Sequence, residues 1–65
     1  MDIDPEDGET RYNYAVALES AMKLTEAIEQ YREAKRLGIT EVDGNLRNAM
    51  AKLVLVGAKL NNTSS

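Results

Sequence analysis

Apolar residues recur along this chain three or four positions apart, in three successive stretches, which predicts three amphipathic helices. The clearest is Thr25 to Gly38, TEAIEQYREAKRLG. Here Ala27, Ile28, Tyr31, Ala34 and Leu37 fall on one stripe, while Glu26, Glu29, Gln30, Arg32, Glu33 and Arg36 cover the other side. The small Ala27 and Ala34 flank the Tyr31 ring and leave room for a neighbouring helix to come close, so the stripe reads as a helix-pairing surface. Ahead of it, Tyr14, Ala15, Leu18, Ala21 and Met22 form an inner stripe, with Tyr12 and Val16 as a second apolar line, predicting a helix over about 5–22. Behind it a third helix is predicted over about 42–60, and the polar run 61–65 reads as a frayed tail.

Start and stop signals divide these stretches. Asp4-Pro5 offers an N-cap followed by a residue pre-set for the first helical position, and Asp7 offers a second start. Thr25 is the expected cap of the second helix, over 25–37, and Thr40 or Asp43 that of the third. Gly38 can take the left-handed conformation that ends a helix, with Ile39 folding back on Ala34. Connections this short make the first two helices an antiparallel hairpin. The expected fold is all-α, a helix hairpin plus a third helix in one domain over 1–60.

The third helix carries more apolar surface than a small domain needs. Around its axis Leu46, Ala49, Met50, Leu53, Val54, Val56, Gly57 and Leu60 fill an arc of about 160°, where about 100° suffices for a helix at a domain edge. Leu55 lies on the far side, among Asn48, Lys52 and Lys59. The surplus is either the cut face of a longer array or a surface for a second copy or a partner helix.

Composition narrows the chemistry. The chain has 65 residues, no Cys and no His, which removes disulfides, thiolate or imidazole metal ligands and the usual general bases. An enzyme is not expected, nor a cofactor. Glu26, Glu29 and Glu33 share a face but lack the ligand geometry of a calcium site, so no metal is expected. The net charge of -3 is concentrated in Asp2, Asp4, Glu6, Asp7 and Glu9, and three Tyr with no Trp or Phe offer little for base stacking, so nucleic acid is not an expected partner. No apolar run is long enough to span a bilayer and the start is acidic, so a soluble, cytoplasmic protein is the expectation.

The stretches DPEDGETRYNYAVAL and EAIEQYREAKRLG together resemble a tetratricopeptide repeat, a helix-turn-helix unit of about 34 residues that stacks into a superhelix. Tyr14, Ala15 and Leu18 match first-helix packing positions, and Ala27, Tyr31 and Ala34 the small-aromatic-small signature of the second helix. A shift of about 34 residues brings Tyr12 onto Leu46, Ala15 onto Ala49, Val16 onto Met50 and Ala17 onto Ala51, so residues 4–60 look like one and a half repeats. Arg11 stands where the family has a large aromatic and Ile39 where it has Pro, while Asn48 and Lys52 occupy packing positions of the second copy. The second helix is also similar to that of the microtubule-interacting and trafficking domain, with a poorer match elsewhere.

The repeat resemblance implies a protein–protein interaction module, acting as scaffold or adaptor, with a groove lined by first helices. That groove would carry Glu9, Tyr12, Val16, Glu19 and Ser20 with Asp43, Leu46, Met50, Leu53 and Val54. Of these, Tyr12, Val16, Glu19, Leu46, Met50, Leu53 and Val54 are the expected partner-binding residues, and Tyr12 and Val16 replace the Lys and Asn of members that clamp a carboxylate. The expected partner is protein: a second copy, giving a homodimer, or an amphipathic helix or peptide. The alternative is a monomeric fragment of a longer array.

Overall fold

A computed structural model describes the backbone of residues 7–63 and the side chains of 7–57. Three α-helices follow one another, α1 Gly8–Ser20, α2 Leu24–Arg36 and α3 Val42–Thr63, making the described chain all-α. The Asp4-Pro5 signal, the terminal Ser64 and Ser65 and the side chain of Leu60 lie outside the described residues.

α1 starts at the second of its two candidate signals. The Asp7 carboxylate accepts from the Glu9 N–H at 3.0 Å and from the Thr10 hydroxyl at 2.9 Å, satisfying a donor the first turn cannot pair internally. The next residue, Gly8, is buried, and a Cβ placed on it would stand 2.8 Å from Ile39 Cγ1 and 3.2 Å from Leu37 Cβ. The α2–α3 connection can therefore lie against the start of α1 only because residue 8 has no side chain.

Both connections close by the same device. At the first, the Lys23 N–H reaches the Leu18 carbonyl and the Met22 N–H the Glu19 carbonyl, each at 2.9 Å. At the second, Ile39 reaches Ala34 and Gly38 reaches Lys35, each at 3.0 Å. These are Schellman closures, and each needs one residue in the left-handed region. Gly38 supplies it at φ 104 without cost, whereas Met22 supplies it at φ 62 with a side chain in place.

The first closure moves the start of the second helix. α2 begins at Leu24, with Lys23 in the capping position and no side-chain cap, and Thr25 lies inside the helix. Leu24, just ahead of the expected cap at Thr25, is buried at 4% exposure, and that burial sets the boundary in place of a Thr cap. Asp43 likewise is no cap but sits in the first turn of α3, where it pairs with Lys35 at 3.0 Å. The third helix also ends later than the expected 60. α3 runs on through Asn61 and Asn62 to Thr63, because no Gly or Pro follows Gly57 to stop a helix that adds one hydrogen bond per residue.

Tyr31 sits at the centre of the core. Its ring is fully buried among Ala15, Leu18, Ala27, Ile28, Ala34, Val42 and Ala49, with Tyr12, Ile39 and Leu46 packed at the edge. The predicted inner stripe of α1 is corrected here. Ala15 and Leu18 face the core, but Ala21 is exposed and Tyr14 and Met22 are 48% and 55% exposed. Apolar residues lie all round α1, so its rotation follows from the packing of Tyr12 and Glu19 against Tyr31.

Burial repeats along the chain at the predicted offset of about 34 residues. Ala15 and Ala49 are both fully buried, Gly8 and Val42 are both buried, Tyr12 and Leu46 are both half-buried, and Val16 and Met50 are 38% and 37% exposed. The register fails at Leu18, 7% exposed, whose counterpart Lys52 is exposed.

Two substitutions test the connections. Met22→Gly is expected to raise unfolding free energy by about 0.5–1 kcal/mol in urea titration, since it removes left-handed strain at an exposed side chain. Gly8→Ala is expected to lower it by about 1–2 kcal/mol, opposite in sign to the usual gain from Ala in a helix, because the new methyl collides with Ile39.

Candidate functional site

α3 rests mainly on α2 and presents two different faces to the hairpin. The face toward α1 is polar. Glu19, near the end of α1, accepts the Tyr31 hydroxyl at Oε1, 2.6 Å away, and pairs through Oε2 with Lys52 of α3 at 2.8 Å. Asn45 bridges the two tyrosines, donating to the Tyr31 oxygen and accepting from the Tyr12 hydroxyl, each at 3.4 Å. The Tyr12 and Tyr31 rings stand 6.0 Å apart and tilted by 57°, a favourable aromatic pair.

The electrostatics follow from that geometry. Burial, and then the bond to Glu19, pushes the Tyr31 hydroxyl up to about 12. Burial opposes ionisation of Glu19, but the bonds from Lys52 and Tyr31 outweigh it and hold the carboxyl below its usual range. Its side chains are paired with one another, and the cluster fastens α3 to α1.

The face toward α2 is apolar and open. Met50, Leu53 and Val54 of α3, with Thr25, Ile28, Glu29 and Arg32 of α2, line a cleft of about 400 Å³. A second cleft of about 260 Å³ shares Thr25 and Leu53 with the first and adds Met22, Lys23, Leu24, Glu26 and Val56. Met50, Leu53 and Val54 are 37%, 40% and 70% exposed, and Leu55, further round the helix, is 64% exposed.

The expected single groove is therefore divided. Tyr12 and Glu19 belong to the polar network, Leu46 packs on the core, and Met50, Leu53 and Val54 line the cleft on the α2 side. Val16 is partly exposed on α1 and lines neither cleft. Asn45 and Lys52 reach α1 from α3, whereas spacing alone puts Lys52 on the far polar side. Both cross-contacts, Tyr12 with Asn45 and Glu19 with Lys52, join residues 33 apart, one short of the repeat period. An acid and a base at that separation were the available sequence signal.

Among the described residues, no group of three or more carboxylates is placed to hold a metal ion, and no helix is long and apolar enough to cross a membrane. Comparison of the chain with protein-family models, curated proteins and solved structures gives no match.

The polar network predicts how stability varies with pH. Tyr31 holds its proton longer when folded, so stability is expected to fall as pH rises from about 10 to about 12, and Tyr31→Phe should flatten that decline in chemical denaturation series. Glu19 acts in the other direction. Its folded carboxyl titrates low, so its contribution is complete above about 4.5 and is lost as pH falls through the lowered value; Glu19→Gln should remove that acid dependence.

Proposed function

We propose that this protein is a non-catalytic protein–protein interaction module, built like one and a half tetratricopeptide repeats, that self-associates through α3. The observation that carries the proposal is the uncovered apolar face of α3. α3 has 22 residues, about 33 Å, while α1 and α2 have 13 each, about 20 Å. Even where α3 runs beside α2, the hairpin leaves one side of it uncovered, and Met50, Leu53, Val54 and Leu55 stand partly or largely exposed. Burying each is worth roughly 1 kcal/mol or more in proportion to its exposure, which favours association.

Support for the repeat-like reading comes from burial that recurs at about 34 residues and from the buried Ala27, Tyr31 and Ala34. The absence of His and Cys from the sequence supports the non-catalytic part of the reading. A second reading, one segment of a longer array or a receptor for a partner helix, is favoured by the position of the cleft. The space between α2 and α3 is where the second helix of a following repeat would stack.

Solution mass by sedimentation across a hundredfold range of concentration separates the two. The expected result is a dimer whose thermal stability rises with concentration, and a Leu53→Asp variant that is monomeric yet as helical by circular dichroism. A wild-type monomer at every concentration would sink the self-association reading and leave the cleft to a different protein.

A further inference from the structure

The two connections reverse the chain by the same pair of hydrogen bonds but with unequal local support. Gly38 takes the left-handed position of the second at φ 104, where glycine is at no disadvantage. Met22 takes it in the first at φ 62, in the connection Ala21 to Lys23, which contains no Gly or Pro and leads into Leu24. Ala, Met, Lys and Leu are among the strongest helix formers, so these side chains give a reversal no support of their own. The closure is held instead by the seating of α1. Ala15 and Leu18 pack in the core, Glu19 binds the Tyr31 hydroxyl and Lys52, Tyr12 binds Asn45, and Gly8 lies beneath Ile39. Each of these contacts runs from α1 to another element, so α1 of a second copy can make all of them.

We infer that residues 21–23 are a hinge through which two copies exchange α1, each copy's α1 seating on the other's α2 and α3. A short connection under strain invites such exchange, because the exchanged pair keeps the contacts of the closed chain and releases a left-handed residue at both hinges. Ala21 is exposed and Met22 is 55% exposed, and both lie where the two hairpins meet in the pair, so exchange also covers apolar surface that the closed chain leaves to water. The loss of freedom on association opposes it, so the exchanged form gains with concentration. This pairing is separate from association through the open face of α3 and does not depend on it.

The Glu19–Lys52 ion pair, 2.8 Å long, reports which chain each α1 sits on. Glu19→Lys in one chain and Lys52→Glu in another each oppose like charges within a closed chain. An exchanged pair of the two has the reversed ion pair in one seat and the native pair in the other, so both seats are satisfied. Refolded together from urea at high concentration, with one chain isotope-labelled, the variants are expected to form mixed pairs roughly tenfold over either like pair in native mass spectrometry. If either fails to fold alone, helicity regained on mixing is the same result. In the wild-type chain, Met22→Gly should lower the dimer yield after such refolding roughly tenfold, since glycine removes the strain that exchange relieves at two hinges. Mixed pairs in statistical proportion, monomers alone, or a dimer yield that Met22→Gly leaves unchanged overturn exchange. A dimer that fails these tests yet is dissociated by Leu53→Asp belongs to the open face of α3, so the two readings fall separately.

Discussion

A single buried ring organises this small protein. Tyr31 is large enough to be touched from both sides, and Ala27 and Ala34 on its own helix are small enough to let α1 and α3 reach it. Burying the ring also buries a hydroxyl, which has to be paired or it costs more than the ring contributes. Glu19 answers that need from α1 and Asn45 from α3, so both flanking helices are oriented by the same oxygen atom. The rotation of α1, the seating of α3 and the position of Lys52 all follow from it.

The second constraint is the backbone at the two connections. Each closes within a few residues by the same pair of hydrogen bonds, so the hairpin and the return to α3 are set locally. They differ in cost. The second uses glycine where a left-handed residue is needed, and the first accepts a methionine there, in exchange for delivering Leu24 directly into the core.

What the chain discloses on inspection is uneven for physical reasons. α2 was legible because its apolar residues form one narrow stripe against a charged background, and that stripe is the buried one, Ala27, Ile28, Tyr31 and Ala34. α1 was legible as a helix but not in its rotation, since Tyr12, Tyr14, Val16 and Met22 give it apolar character on several sides. Helix ends were least legible, because burial of Leu24 and the close approach to Gly8 decide them, and these are tertiary facts. For the site, periodicity identified Met50, Leu53 and Val54 as surplus apolar surface but not the neighbours they share. Ile28, Glu29 and Arg32 come from α2, and no spacing within α3 could point to them.

Among the described residues, the open face of α3 has no counterpart of its own kind at the start of α1, where Gly8 is already buried under Ile39 and Leu37 and the capping Asp7 is exposed and polar. The molecule is therefore asymmetric among the described residues, with an open apolar face on α3 and a closed, polar start to α1. A face of this kind, were it to pair with its own copy across a two-fold axis, would use itself up in the pair, so that such an assembly would close at two and not propagate into a fibre.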